Sequence, residues 1–377
     1  MMLLAACSTV QTLVPLDLPT KSGPIGRISA GDTLSISRLG IGTWQWGNKV
    51  LWSYEPSQDE EIFAAYCRVR DAGVTVFDTA DSYGTLDLNG RAEILLGQFE
   101  RRYLEERSSS NVQGDSNNNL FQTMFSPGNN PSTPSPQQVA TKLAPYPWRL
   151  TRGSVVGAAK ASLDRLGQDK LAIAQLHWST SKYLPQQEVS LWNGLGDIHE
   201  AGLCEAVGVS NYGPQQLLKV AERMQERKVP LAVAQIQYSL MTYQEARRMN
   251  EACDEVGCRL ISYSPLCLGL LTGKYSLDNL PAKGLRRQLF RELLPGAKDL
   301  IGTLGAVAQE YEKTPSQVAI SWAVNKETVP IPGCRTVQQA SENIGSVFRL
   351  RQDAMDTLDA AALAVKKPMI QNVFQTK

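Results

Sequence analysis

Histidine is nearly missing from this 377-residue chain: only His177 and His199 are present. Its seven cysteines are scattered, and Cys253 and Cys258 have four residues between them rather than two. A structural zinc centre needs about four such ligands at close spacing, so the pattern argues against one. Thiols this dispersed in a long chain do not form a small disulfide scaffold, and reduced cysteines are expected. No apolar run approaches the ~18–20 residues that span a bilayer. Charge of one sign is not in excess, with 38 basic against 37 acidic residues. A chain-wide grip on nucleic acid or anionic lipid is thereby excluded, though a local basic patch is not. What is present is 42% hydrophobic and 20% charged residues, which suits a globular chain with a full core. The length fits two or three average domains, or one α/β barrel of roughly 250 residues with extensions.

The first residues read ambiguously. Leu4-Ala5-Ala6-Cys7 has the form of a lipoprotein cleavage box, but no basic segment precedes it and the apolar stretch is too short. Residues 1–33, with several Ser and Thr and one acidic residue before Asp32, are expected to be an N-terminal extension or transit segment. A folded unit is expected over 34–366 and a C-terminal tail over 367–377.

Between these ends, β-rich runs alternate with amphipathic segments. Strands are predicted at 39–44, 74–78, 138–142, 171–177, 205–210, 231–237, 258–263 and 328–332. Helices are predicted at 58–72, 152–166, 189–201, 214–227, 244–256 and 336–345, with Pro214 and Pro315 at first helical turns. Eight strands each followed by a helix suit a closed parallel barrel or an open doubly wound sheet. The strand ends favour the barrel. They read Asp78, Lys142, His177, Ser210 with Asn211, Gln235 with Gln237, and Tyr263. Buried parallel strands are mostly apolar, whereas a (β/α)8 barrel gathers polar residues at its catalytic mouth. The expected fold is therefore an α/β (β/α)8 TIM barrel with a disordered insertion and a C-terminal helical extension.

The insertion is expected at 108–136, a Ser-, Asn- and Pro-rich stretch with too few apolar residues to form a core. It precedes a strand, so it belongs to the face opposite the site. A second long loop is expected at 264–298, at the mouth. Several phosphate-binding motifs fail. Gly40-Ile41-Gly42 is followed by Gln45 where a Rossmann turn has glycine, and 269–275 is one residue short of a P-loop. Residues 208–213 are one residue too long for a nucleophile elbow.

The chemistry resides in four strand-end residues. Tyr83 follows Asp78 in Asp78-Thr79-Ala80-Asp81-Ser82-Tyr83-Gly84, Lys142 ends the third strand and His177 the fourth. A phenol can donate a proton, a nearby ammonium makes it a stronger acid, and a carboxylate fixes that ammonium. A neutral imidazole can orient a carbonyl oxygen. Together they suit protonation of a carbonyl oxygen as hydride reaches its carbon. Singly, each is more often a helix cap, a rim cation or a packed aromatic; placement on successive strands sets them apart.

These stretches resemble the aldo-keto reductase family. The resemblance rests on Gly42-Thr43-Trp44, the 78–84 segment, Ala140-Thr141-Lys142, Leu176-His177-Trp178 and Gly208-Val209-Ser210-Asn211-Tyr212. Ala234-Gln235-Ile236-Gln237-Tyr238-Ser239, Tyr263-Ser264-Pro265-Leu266, 270–275 and Ile331-Pro332-Gly333-Cys334-Arg335 complete it. It covers about 34–365, and residues 145–151 and 177–180 resemble the chloroplast-type branch of plants and algae. The resemblance implies an NADPH/NADP+-dependent reductase of aldehydes or ketones. Tyr83 would be the general acid, Lys142 would lower its pKa, Asp78 would pair with Lys142, and His177 would orient the carbonyl. Ser210, Asn211 and Gln235 would hold the nicotinamide carboxamide and Tyr263 would stack on its ring. Ser264, Leu266 and Lys274 would line the pyrophosphate. Arg335 and Thr336 would grip the 2′-phosphate, with Gln339 and Asn343 near the adenine. Trp46 and Trp178 would wall the substrate pocket, and Trp44 could join them. Cys267 stands where the family has glycine. The partner implied is a small carbonyl compound, with no nucleic acid, no membrane span and no metal, and the location a chloroplast or else the cytoplasm. The alternative is a regulatory or redox-sensing barrel that binds NADP(H) with little turnover. A hydrolase would need an activated water or nucleophile, which nothing here supplies.

Overall fold

The computed structural model describes residues 25–114, 134–282, 284–369, 372 and 374–376. A hairpin comes first: β1, Arg27–Ala30, pairs antiparallel with β2, Leu34–Ser37. Eight parallel strands follow. They are β3 (Gly40–Gly42), β4 (Val76–Asp78), β5 (Gln138–Leu143), β6 (Leu171–Leu176), β7 (Cys204–Ser210), β8 (Leu231–Gln237), β9 (Arg259–Tyr263) and β10 (Val329–Ile331). Each pairs with the next. A parallel bridge between Gly42 and Gly333, and the Gly42 N–H donating to Pro332 O at 3.1 Å, join the last strand to the first. The sheet is thus a (β/α)8 barrel. Its seam needs glycine: a Cβ on Gly42 would sit 2.9 Å from Ile331 O.

The helices are α1 (Lys49–Trp52), α2 (Asp59–Asp71), α3 (Arg91–Gly114), α4 (Arg152–Leu166), α5 (Pro185–Glu200), α6 (Pro214–Glu226), α7 (Tyr243–Ala246), α8 (Arg248–Val256), α9 (Leu285–Glu310), α10 (Pro315–Asn325), α11 (Val337–Ile344) and α12 (Gln352–Leu363). Local signals start them. Thr151 and Thr314 accept from the backbone N–H three residues on, and Ser154 and Gln317 return the bond. Proline opens α5, α6 and α10, where its missing N–H costs nothing.

Two apolar layers hold the fold. One lies between barrel and helices. The other is inside the barrel, where Ile28, Leu34 and Ile36 of the hairpin meet Ala140, Ala206, Ala232, Val233 and Ile261. Small strand residues leave the room that the hairpin isoleucines fill. The barrel floor is therefore plugged, and its polar residues collect at the opposite end.

The β1–β2 hairpin spans residue 33, and residues 1–24 lie outside the described residues. The expected insertion falls between α3 and β5: residues 108–114 continue α3, residues 134–136 lead into β5, and 115–133 lie outside the described residues. The expected loop at 264–298 holds a 3-10 turn, Cys267–Thr272, and chain without helix or strand over 273–282, but from Leu285 onward it is the start of the 26-residue α9. The expected helical extension corresponds to α12.

Candidate active site

The C-terminal ends of the strands open into a cavity of about 510 Å³. Asp78, Lys142, His177, Ser210, Asn211, Gln235 and Tyr263 line it from the strand ends, and Tyr83 lines it from the loop after β4. The four residues expected to share the chemistry are thus gathered in one place. Gly84 makes the Tyr83 turn possible: its φ is +128° and a Cβ there would fall 1.7 Å from Leu88 O.

Asp78 and Lys142 are fully buried and paired at 2.5 Å. The ammonium also donates to Thr79 O at 2.8 Å. The second Asp78 oxygen accepts from Gln235 at 2.7 Å and Gln175 at 3.4 Å. Three donors on one carboxylate, with the ammonium held also by Thr79 O, are what a buried ion pair needs to be tolerated. Burial pulls the Lys142 ammonium below its ordinary value, and Asp78 opposes that pull.

Lys142 Nζ sits over the Tyr83 ring, 4.8 Å from its centroid. Burial, and then the Asp78 charge, hold the Tyr83 phenol well above its ordinary value. The phenol of this site therefore carries its proton at neutral pH. His177 meets Tyr83 edge-on, with ring centroids 5.6 Å apart. Burial and then the Lys142 charge push His177 well below its usual value, so the imidazole is neutral at neutral pH. A protonated phenol and a neutral imidazole facing one cavity can both donate to a single oxygen.

The other strand-end residues form a hydrogen-bonded wall. The Asn211 amide donates to His177 O at 3.0 Å, and the Tyr263 hydroxyl donates to Asn211 Oδ1 at 2.8 Å. Asn211 takes the left-handed conformation at φ +61°, as does Ser264 at +51°. Cys267, Leu268 and Gly269 continue in that region, which explains why glycine suits position 267. The Cys267 thiol is buried against Met369 Sδ at 2.9 Å, and burial pushes it up to about 12, which leaves it unreactive.

The cavity extends past Ser264, Leu266 and Lys274 to Arg335, Gln339 and Asn343. Arg286, from the first turn of α9, shares this end, and its charge adds to burial in lowering Arg335. Arg286 Nε, Arg335 Nε and Trp52 Nε1 are buried donors without a partner. Two facing guanidiniums with unspent donors fit an anionic group such as a phosphate. This is the feature by which the chain fits a phosphorylated cofactor. Arg286, Trp52 and Glu342 were not singled out from the sequence. Arg286 belongs to the region expected to be loop, and only the helix that presents it aims it here.

Two expected residues are placed elsewhere. Trp46 is buried in the shell core, its indole N–H donating to Cys334 O at 2.9 Å and its ring against Phe99. It does not line the cavity; Trp44 and Trp52 do. Thr336 is not among the lining residues; its hydroxyl caps α11 by accepting from the Gln339 N–H at 3.1 Å. Trp178 does face the cavity, stacked on Phe374 at 4.6 Å with its N–H on the Tyr183 hydroxyl. Phe374 and Asn372 add a wall that strand-end reasoning could not supply, because they come from the last residues described.

The model of the aldo/keto reductase family matches residues 38–363. The chain belongs to the aldo/keto reductase family. It is 46% identical over 372 residues to the chloroplastic pyridoxal reductase of Arabidopsis thaliana, covering 98% of this chain and 94% of that protein. It is 23% identical to a probable aldo-keto reductase of Glycine max, over 83% of this chain and 81% of that one. Among solved structures, the glycerol dehydrogenase of Gluconobacter oxydans aligns at a TM-score of 0.69 with 21% identity, covering 93% of this chain and 98% of that one. An aldo-keto reductase solved with NADPH aligns at 0.63 with 20% identity, over 92% and 90%. Membership makes this reductase an oxidoreductase that uses a nicotinamide cofactor. No described helix is long and apolar enough to cross a membrane.

Proposed function

We propose that this aldo-keto reductase reduces aldehydes or ketones to alcohols with NADPH, and that pyridoxal, or a small aromatic aldehyde like it, is the first substrate to try. The carrying observation is that His177 and Tyr83 face one cavity beside a buried Lys142–Asp78 pair, where burial favours a neutral imidazole and a protonated phenol. The aromatic walls Trp44, Trp52, Trp178 and Phe374 support a flat substrate, as does the 46% identity to a pyridoxal reductase.

Bound nicotinamide supplies the hydride. Tyr83 and His177 donate to the carbonyl oxygen, and the Tyr83 proton moves to it as negative charge builds. An alkoxide is a much stronger base than a phenolate, so even a phenol held above its ordinary value gives up its proton then. Lys142, pinned by Asp78, offsets the phenolate charge left behind, where low dielectric magnifies the attraction. Ser210, Asn211 and Gln235 would hold the carboxamide, and Tyr263 would pack on the ring. Ser264, Leu266 and Lys274 would line the pyrophosphate. Arg335 and Arg286 would take the 2′-phosphate, with Gln339 and Asn343 beside the adenine and Thr336 holding the α11 start. The Arabidopsis relative's name supports a chloroplast location, and fractionation with N-terminal sequencing of the mature protein tests it.

The test is titration with NADPH and NADH by protein fluorescence, followed by pyridoxal and an aldehyde panel. NADPH-selective quenching and cofactor oxidation are expected. Tyr83→Phe should abolish turnover and keep NADPH binding. Substantial residual turnover would refute the role of Tyr83. Binding without oxidation of any carbonyl would favour a sensing barrel, for which no observation of the site speaks at present.

A further inference from the structure

The His177 ring has two nitrogens, and only a proton on the one facing the cavity can help a carbonyl oxygen. The other, Nδ1, lies 3.3 Å from Ser82 Oγ. The loop after β5 is fastened to the one carrying Ser82 and Tyr83. Asp81 Oδ2 accepts from Arg149 Nη1 at 2.8 Å, and Asp81 Oδ1 accepts from the Ala144 N–H at 3.1 Å. Arg149 also donates to Ala144 O at 2.6 Å and lies over the Tyr146 ring. The Gln187 amide holds the backbone oxygens of Tyr146 and Arg149 at 2.9 and 2.7 Å. The Asp81–Arg149 pair is largely buried, so the clamp is not a solvent-screened surface pair.

We propose that Ser82 is a positioning residue that sets the tautomer of His177, through a hydrogen-bond relay in which the Ser82 hydroxyl donates to Nδ1 and leaves the ring's own hydrogen on Nε2. A neutral imidazole carries one N–H, so a donor at Nδ1 places that hydrogen on Nε2. The burial that keeps His177 neutral is what makes the choice binary. Asp81 and Arg149 hold in place the loop that carries Ser82. The inference rests on the reductase reading only for its kinetic consequence; the tautomer is a property of the protein itself.

The chain's two histidines make the test direct. Full-length protein labelled with [15N]histidine gives two imidazole patterns, and His199→Gln identifies that of His177. The expected pattern is an Nε2–H tautomer that persists from pH 6 to 8. Ser82→Ala should give a mixed or Nδ1–H pattern and lower kcat with pyridoxal about fivefold at near-constant KM, since losing one such bond is worth about 1 kcal/mol. Ser82→Thr, which keeps a hydroxyl, should retain the wild-type pattern. An Nδ1–H pattern in the wild type, or a Ser82→Ala protein with unchanged tautomer and kcat, overturns the relay. Should Ser82→Ala fail to fold, Ser82→Gly against Ser82→Thr carries the same comparison. An Nε2–H pattern that shifts in Ser82→Ala, in a protein that reduces no carbonyl, sustains the relay and defeats the reductase reading instead.

Discussion

Replacing Asp78 by asparagine keeps the shape of its side chain and leaves the Lys142 ammonium buried without its counter-charge. Both side chains of that pair are within 2% of complete burial. Two costs compete in the variant. Keeping the ammonium charged and unpaired costs about 3–5 kcal/mol, as for other broken buried pairs. Deprotonating an ordinary lysine at pH 7 costs about 4.6 kcal/mol, from a reference pKa near 10.4 at 1.36 kcal/mol per unit. The cheaper route sets the loss, so about 3–4.6 kcal/mol is expected. The pH dependence separates the routes. A lysine neutral when folded and charged when unfolded gives the unfolded state one more bound proton. Stability of the variant then rises with pH, by about 1.36 kcal/mol per unit up to the ordinary lysine value. Urea unfolding of both proteins at pH 7, 8 and 9 reads this out. The deficit should shrink by about 2.7 kcal/mol over that range if Lys142 gives up its proton. It should stay level if the charge is retained. Adding Lys142→Met to Asp78→Asn should restore most of the loss. A deficit below about 1 kcal/mol with parallel pH profiles would refute the claim that this pair is held by mutual compensation.

Arg286→Ala removes one of the two guanidiniums at the far end of the cavity. A charge-assisted bond worth about 1.5–3 kcal/mol predicts a roughly ten- to hundredfold weaker NADPH affinity and little change for NADH; equal losses for both cofactors would remove Arg286 from the 2′-phosphate. Trp46→Phe leaves Cys334 O without its 2.9 Å donor and thins the core around Phe99. About 2–4 kcal/mol of stability should be lost in urea melts with KM for the aldehyde unchanged, whereas a shifted KM would return Trp46 to the pocket.

The barrel was legible because its strands obey two constraints at once. Each must be apolar along its length to be buried on both faces and polar at one end to serve a mouth. Asp78, Lys142, His177, Asn211, Gln235 and Tyr263 carry that signal in sequence order, and the structure brings all of them to one cavity. What lay outside sequence reasoning depends on direction rather than on residue type. Trp46 and Trp44 are two positions apart and look alike as letters, yet the turn after β3 sends one into the shell and the other to the cavity. The hairpin was missed because its alternation spans only four residues a strand, and its burial exists only against the barrel interior. Arg286 was missed because α9 carries Pro295 near its middle and the region before it is rich in turn residues, which hides a helix start.

The plugged floor has a kinetic consequence. With Ile28, Leu34 and Ile36 stoppering one end, the barrel is a well with a single opening, and water, protons and small molecules share one route in and out. Whatever occupies the mouth therefore governs how fast the depths exchange with solvent. Hydrogen exchange at the inner ends of β4, β5 and β6 should slow when a ligand fills the well. The hairpin below should not respond, because it answers to its own opening and not to traffic above it.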